Sequence, residues 1–312
     1  MNEFLSVEAG ERAPQRLRRR ALDLADQVLA ALARIDADAE AVHDARRKLK
    51  ELRALVRLVG DVLPRRGKPE RGFFRDAGRL FAPQREAIAA VETFDSVRAH
   101  FTSEWKPREF LQIRRALVEH GGAAADPAAI ERLRADLAVE RGRIAAWPVD
   151  SMSSDDLWKG LERSYRRSRQ AMRSALHDRT PQDFHRWRRR AKTLWHQEQF
   201  FAALGMGSFA DSIKTLHKLG RSLGEHHDLA LLDERCGTAS DSFGSSRYVR
   251  RFRRFLHRRL RDLEERAEST GSDLFAARVR DWARVSGSPL AKRVGPKKVR
   301  QRLRLVHREN AG

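Results

Sequence analysis

Residues 43–52, HDARRKLKEL, return 142 positions later as residues 185–194, HRWRRRAKTL. Both stretches fit one template: His, two residues, Arg-Arg, two residues, Lys, one residue and Leu. At about 100° per residue, each decamer places its cations on one side of a helix and its apolar residues on the other. The repeated decamer therefore predicts two amphipathic helices, each with a core face and a cationic face.

The two cationic faces lack the acidic residues that normally alternate with basic ones on a solvated helix. The first face carries His43, Arg46, Arg47, Lys50, Arg53 and Arg57, and the second carries His185, Arg188, Arg189, Lys192 and His196. Like charges four residues apart destabilise a helix by a few tenths of a kcal/mol per pair. We therefore expect both faces to bind an anionic partner.

The 142-residue offset extends beyond the decamer. It relates Gly78-Arg79 to Gly220-Arg221, Arg85-Glu86 to His227-Asp228, Arg75 to His217, and Phe110 to Phe252. A single offset that holds across several helices indicates an internal duplication. We predict repeat one over about 10–150 and repeat two over about 151–290, each half folding as a small helical bundle.

Helical periodicity runs through nearly the whole chain, and no segment shows a convincing strand alternation, so the predicted fold class is all-α. Gly and Pro residues separate the helices. We predict helices at about 15–35, 40–63, 70–92, 107–120, 127–147, 155–176, 182–203, 208–234, 247–268 and 272–286. Residues 291–312 form either a basic tail or a last helix.

The charge balance points to a polyanionic partner. The chain has 64 Lys and Arg residues against 43 Asp and Glu, a net charge of +21 and a pI near 11.2. Such a surplus suits nucleic acid, anionic lipid or a phosphate-rich molecule. A single cysteine, Cys236, excludes a disulfide or a CxxC metal site within the chain. Because we see no secretory signal or apolar membrane run, we expect a cytoplasmic protein that binds no membrane.

Three further helices carry cationic stripes. They contain Arg16, Arg19 and Arg20; Lys159, Arg163, Arg166 and Arg173; and Lys214, His217, Lys218 and Arg221. Two interpretations stay open for these stripes. They are either solvated faces of an arginine-rich protein or walls of a groove that a polyanion fills.

The repeated pattern H-x-x-R-x-x-x-K/R-x-x-R resembles the CHAD domain family, the conserved histidine α-helical domain. LGEHHD at 223–228 and LERSYRRSRQAM at 161–172 strengthen the resemblance, which covers about residues 10–290. The resemblance implies two pseudo-symmetric antiparallel helical bundles around a central basic cavity. It also implies binding of inorganic polyphosphate and association with polyphosphate granules.

Carried over residue by residue, the resemblance implies ligand contacts from both decamers. These are His43, Arg46, Lys50 and Arg53, then His185, Arg188, Arg189 and Lys192, with Arg79, Lys218 and Arg221 as neighbours. Two departures stand out. FAPQRE replaces the LGEHHD element in the first half, so we expect the helix to bend or restart at Pro83. Trp195 replaces the cation that matches Arg53, so we expect a weaker second site there.

Three alternatives to polyphosphate binding remain. Nucleic-acid binding is secondary, because aromatic residues are not interleaved with the stripes. Regulation of polyphosphate-metabolising enzymes is compatible with the same surface. An enzymatic function is not supported by the sequence, because no phosphate-binding loop, catalytic triad or metalloenzyme spacing is visible. The candidates for metal ligands are His185, His217, His226, His227 and Asp228. We expect a non-enzymatic protein without a cofactor, whose histidines make binding tighter at mildly acidic pH.

Overall fold

The computed structural model describes residues 11–35, 38, 40–119, 121–122, 125–238, 243 and 246–292. These residues form α-helices and one short 3-10 helix, and no strand occurs among them. The all-α prediction is confirmed. None of the described helices is both long and apolar enough to cross a lipid bilayer.

Within the described part of the first half there are six α-helices. They are α1 (Ala13–Leu32), α2 (Ala41–Leu58), α3 (Lys68–Arg79), α4 (Ala82–His100), α5 (Pro107–Glu119) and α6 (Pro127–Ala145), with the 3-10 helix Pro64–Gly67 before α3. The prediction of one helix over 70–92 is wrong, because the helix is interrupted between Arg79 and Ala82. Pro83, at the second position of α4, has no backbone N–H, so the helix restarts there as expected.

The second half contributes α7 (Ser154–Asp178), α8 (Pro181–Ala203), α9 (Ala210–Thr238), α10 (Ser246–Leu274), α11 (Val279–Val285) and α12 (Pro289–Lys292). The predicted last helix at 272–286 is shorter than expected, because α10 continues to Leu274. The predicted tail or helix at 291–312 lies mostly outside the described residues, which end within it at Lys292.

Local signals set the α7–α8 hairpin. Ser153 and Asp156 form a reciprocal cap at the start of α7, and Thr180 accepts a hydrogen bond from the backbone N–H of Asp183 at the start of α8. Between the helices, Arg179 adopts a left-handed conformation with φ of 48°. This short link makes α7 and α8 antiparallel neighbours, as α1 and α2 are in the first half.

Two hydrophobic cores hold the helices together. The first core contains apolar faces of α1, α2, α3, α6, α7, α8, α11 and the start of α9. The second core contains apolar faces of α4, α5, α10 and the end of α9. Both cores mix residues of the two predicted repeats, which differs from our expectation of one bundle per half. The reason is that α2 packs on α8 and α4 packs on α9, so the halves interlock.

The predicted apolar faces of the two decamer helices are buried. Leu49, Leu52 and Leu55 of α2 are at most 1% exposed, and Trp187 and Leu194 of α8 are 0% exposed. With these faces in the first core, the cations of the same helices face away from it. The amphipathic pattern therefore predicted correctly which sides of α2 and α8 are buried in the first core.

Candidate functional site

A large cavity lies where helices of the two cores approach one another. Its volume is about 1440 Å³. It is lined by α2 and α8, which belong mainly to the first core, and by α4 and the end of α9, which contribute to the second core. Arg20 of α1 also lines it. Pockets for single small molecules usually measure about 300–1,000 Å³. The dimensions therefore suit an extended ligand.

Nine of the residues predicted from sequence line this cavity. They are Arg20, His43, Arg46, Arg47, Lys50, His185, Arg188, Lys192 and His196. The two decamers thus meet at one cavity although they are far apart in sequence. We call this space the basic cavity, because nine Lys and Arg residues line it against six Asp and Glu residues.

The other predicted residues lie outside the cavity lining. They are Arg16, Arg53, Arg57, Arg79, Lys159, Arg163, Arg166, Arg189, Lys214, Lys218 and Arg221. Several of them have carboxylate partners: Lys159 bonds to Asp156 at 3.0 Å, and Arg163 bonds to Asp61 at 3.1 Å. On α9, Leu216 and Leu219 face the core, so the predicted α9 stripe faces solvent.

Four cations of α2 and α8 form the cationic wall of the basic cavity: Arg46, Lys50, Arg188 and Lys192. None of the four forms an ion pair with a carboxylate in the part of the chain that the structure describes. Arg46 Nη1 donates instead to the carbonyl oxygen of Phe81 at 2.7 Å. Phe81 lies in the short link between α3 and α4. The wall therefore retains a surplus of positive charge, which Glu86 near Arg46 and Asp228 near Arg188 offset only in part.

Burial and mutual repulsion lower the pKa values of the wall. The pKa of Lys50 falls to about 8, first because surrounding protein displaces water and then because Arg46, Arg188 and Lys192 repel its charge. The pKa values of Arg46, Arg188 and Lys192 are lowered mainly by burial as well. A bound anion would favour the charged form of all four groups.

Two features of the second half position the wall. The ammonium of Lys192 lies 4.5 Å from the centre of the Trp195 ring, so Trp195 holds a neighbouring cation by a cation–π contact. Gly224 belongs to the LGEHHD element, and a Cβ there would lie 3.6 Å from Arg188 Nε. Arg188 therefore packs against α9 at this position, at a distance that would be ordinary van der Waals contact for a Cβ.

Histidines form a neutral part of the lining. His185 and His227 share a hydrogen bond between their Nδ1 atoms at 3.1 Å. Burial, followed by the charges of Arg189 and Arg188, lowers the pKa of His185 to about 4. Burial, followed by His185 and Arg188, lowers the pKa of His227 to about 3. His196, which is 9% exposed, has its pKa lowered to about 3 by burial and by Lys192 and Lys50.

Sequence reasoning missed several lining residues. Arg85 and His227 line the cavity at matching positions of α4 and α9, and Lys48 and Arg235 are further cations. The 142-residue offset pairs Arg85 with His227, and this pairing could have identified both of them from the sequence. Lys48 is part of the first decamer, but its helical angle placed it off the predicted cationic face.

Acidic residues limit the charge of the cavity. Glu51 is held by Arg20 at 2.6 Å, and Glu92 is held by Arg85 at 3.0 Å. Asp228 lies within the field of Arg188, but burial raises its pKa. The cavity is therefore most strongly positive along the cationic wall.

The five candidate metal ligands do not all meet at one point, although His185 and His227 are in contact. His226 Nε2 bonds to Glu264 at 3.2 Å on α10, whereas His217 lies beside Trp195, with ring centres 5.8 Å apart. Within the described ranges, no group of three or more His, Cys, Asp or Glu side chains is arranged to hold a metal ion.

Comparison with known proteins supports the family assignment. The CHAD domain model matches residues 15–237, from α1 almost to the end of α9, and includes both decamers. No curated protein matches the chain. Because the family match covers well over half of the chain, the protein belongs to the CHAD domain family.

Proposed function

We propose that this chain binds inorganic polyphosphate in the basic cavity and does not transform it chemically. The observation that carries the proposal is the cationic wall, where Arg46, Lys50, Arg188 and Lys192 meet without carboxylate partners among the described residues. Membership of the CHAD domain family is consistent with this ligand.

Polyphosphate suits the wall on chemical grounds. Arginine guanidinium groups bind phosphate oxygens in forked pairs, and lysine ammonium groups supply compact point charges. The ligand presents a regular series of negative charges and no base edges, so it needs closely spaced cations more than directional contacts. Binding would release counterions and would weaken as the salt concentration rises.

The neutral histidines would respond to the ligand. Without a bound anion, His185 and His227 have pKa values of about 4 and about 3, so they are uncharged at pH 7. Phosphate oxygens beside them would favour the imidazolium form and raise both pKa values. The cavity would then gain positive charge as the ligand enters and as pH falls.

We also propose that a pseudo-two-fold axis relates the two halves at this cavity. The proposal is supported by contacts between equivalent residues: Lys50 and Lys192 lie within each other's field, and the Phe110 and Phe252 ring centres are 5.9 Å apart. The helix pairs α2–α8 and α4–α9 are also equivalent under the 142-residue offset. Contacts of a surface with its own equivalent are typical of a two-fold relation.

A competition experiment tests the proposal. Long-chain polyphosphate, DNA and RNA would be compared for binding to the full chain at matched salt concentrations. We expect polyphosphate to bind most tightly, and a preference for nucleic acid would contradict the proposal. Phosphate release from polyphosphate by the pure protein with Mg²⁺ would contradict its non-enzymatic part.

The cellular role that we propose is association with cytoplasmic polyphosphate granules, with regulation of polyphosphate-metabolising enzymes as the alternative. Localisation of the tagged chain in cells with and without polyphosphate distinguishes these roles. A granule-binding protein should disperse when polyphosphate is removed, whereas an enzyme partner should remain with the enzyme.

A further inference from the structure

Helix α10 has a strongly polarised charge distribution. Residues 246–261, its first part, contain eight arginines and one histidine but no Asp or Glu, whereas residues 262–274 contain five acidic residues and one arginine. No residue of α10 lines the basic cavity, and the whole helix lies beyond residues 15–237, which match the CHAD domain model. Neither the cavity nor the family match therefore accounts for the arginines of α10.

Some of these arginines hold the fold together, and others do not. Three of them bond to acidic residues of neighbouring segments: Arg253 to Asp233, Arg259 to Glu225 and Arg258 to Glu104. Four others are exposed, and within the described ranges none of the four forms an ion pair with a carboxylate. We call these four residues the α10 stripe: Arg247, Arg250, Arg254 and Arg261.

The α10 stripe is straight and lies on the outer side of its helix. At about 100° per residue, its four members fall within about 60° of one another around the helix axis. From Arg247 to Arg261 the stripe extends about 21 Å along that axis. The opposite side of α10 is buried in the second core through Val249, Phe252 and Phe255. The helix therefore presents a purely polar, cationic face to solvent.

This arrangement opposes the stability of the helix in two ways. Arg250 and Arg254 are four residues apart, and like charges at that spacing repel each other on a helix. Arg247 and Arg250 also lie near the amino-terminal end of α10, where the helix dipole is positive and cations are unfavourable. A bound polyanion would relieve both effects, because its charge has the opposite sign.

We propose that the α10 stripe binds the phosphate backbone of double-stranded nucleic acid. Guanidinium groups fork onto phosphate oxygens, and a stripe about 21 Å long faces about six base pairs of a duplex. The diameter of a helix with its side chains, about 10–12 Å, is close to the width of the major groove, about 12 Å. A straight row of cations on an outer helix therefore fits a rigid duplex.

The composition of the exposed face favours a duplex over two other polyanionic partners. The exposed residues among 246–261 are arginines, Ser246 and His257, so this face has no apolar side chain to insert into a lipid bilayer. It also has no exposed aromatic ring on which the bases of a single strand could stack. The stripe shares no residue with the basic cavity, so this inference does not depend on polyphosphate binding.

Equilibrium binding of the full chain to a labelled DNA duplex of mixed sequence, about 12 base pairs long and so about twice the length of the stripe, tests the proposal. The stripe variant is Arg254→Gln with Arg261→Gln. The control is Arg166→Gln with Arg173→Gln, an exposed pair of α7 with the same seven-residue spacing and outside the cavity lining.

The salt dependence gives the expected magnitudes. Four phosphate contacts give a slope of log K against log salt of about −3.6, and the stripe variant should retain about −1.8. Between about 50 and 200 mM salt, the wild type and the control should weaken about 150-fold and the stripe variant about 12-fold. Equal slopes and affinities in the stripe variant and the control would overturn the proposal, because binding would then depend on net charge alone.

Further measurements decide between charge and structure, and between a duplex and other polyanions. Arg254→Lys with Arg261→Lys keeps the charge and should keep the wild-type slope, whereas a loss as large as that of the stripe variant would overturn the proposal. Tighter binding of a single strand than of the duplex would also overturn it. So would vesicles of phosphatidylserine and phosphatidylcholine whose binding, unlike that of the duplex, is lost in the stripe variant.

The variants of the two sites separate this inference from the proposed function. Lys50→Met with Lys192→Met should weaken polyphosphate binding and leave duplex binding intact, and the stripe variant should do the reverse. If the polyphosphate proposal fails, the stripe variant still loses affinity for the duplex. If the stripe variant instead loses affinity for polyphosphate and keeps its affinity for the duplex, the inference from α10 is overturned.

Discussion

Neutralising the two lysines of the cationic wall should weaken polyphosphate binding and reduce its salt dependence. Lys50 and Lys192 occupy equivalent positions of the two decamers, and both line the basic cavity. Methionine at both positions keeps an unbranched side chain with good helix propensity and removes the charge. The change therefore tests the charge of the wall with little effect on packing.

The four wall cations set the expected magnitudes. If polyphosphate behaves like a single-stranded polyanion, each neutralised phosphate contributes about −0.7 to the slope of log K against log salt. Four contacts give a slope of about −2.8, and the double variant retains about −1.4. Between about 50 and 200 mM salt, the wild type should weaken about 50-fold and the variant about 7-fold. Losing two charged contacts should also reduce affinity by about 10²- to 10⁴-fold.

The assay is equilibrium binding of labelled long-chain polyphosphate at several salt concentrations. Lys68→Met with Lys106→Met is the control, since both lysines are exposed and lie outside the cavity lining. The control should keep the wild-type slope and nearly the wild-type affinity. If the two double variants lose affinity and slope equally, binding depends on net charge alone, and the reasoning from the cationic wall is refuted.

Three other predictions concern pH and packing. Polyphosphate binding should tighten as pH falls from about 6.5 toward the free-state pKa values of about 4 and about 3, and His185→Gln with His227→Gln should flatten that dependence; a wild-type affinity that stays constant from about pH 6.5 to 4 contradicts a role for these histidines. Burial raises the pKa of the Glu198 carboxyl to about 8, far above its value in the unfolded chain. Between these two pKa values the folded state binds more protons than the unfolded state. The free energy of unfolding should therefore fall as pH rises from the unfolded pKa to the folded pKa. Glu198→Gln should remove that slope in melting experiments at pH 5 and pH 8, and an unchanged slope would assign the effect to another group. A Cβ at Gly160 would lie 1.9 Å from the carbonyl oxygen of Leu58, so Gly160→Ala should destabilise the protein by about 1–3 kcal/mol or more in urea unfolding. The control is Gly142→Ala, which should be neutral or stabilising because a Cβ at Gly142 would have no neighbour within 4 Å.

Most of the helical architecture was predictable because its signals are local. The periodicity of the decamers identified the buried faces of α2 and α8, and the Pro83 signal anticipated the restart at α4. The error over 70–92 arose because the apolar periodicity of α3 continues into α4. The interruption between these two helices is only a few residues long. Boundaries near α10 and α11 were less accurate, since no strong breaker stands at the true end of α10.

The candidate site was predictable in part. The offset brought His43, Arg46 and Lys50 together with their counterparts of the second decamer, and the structure places all of these around one cavity. The sequence pattern did not distinguish stripes that face the cavity from stripes that face solvent, such as the α9 stripe that contains Lys214 and Lys218. A helical stripe has the same local pattern in either position, because its neighbour in space comes from a distant part of the chain.

The sequence by itself predicted the all-α fold that the described residues adopt, an offset of 142 residues that relates its two halves, and two helices with unusually pure cationic faces. These properties follow from residue spacing and charge, which act within a single helix. Only the tertiary structure decided that the halves interlock in shared cores and that Arg46 and Lys50 meet Arg188 and Lys192. Packing of α2 on α8 brings these like charges together at one cavity, because the two helices come from distant parts of the chain and only the folded structure makes them neighbours.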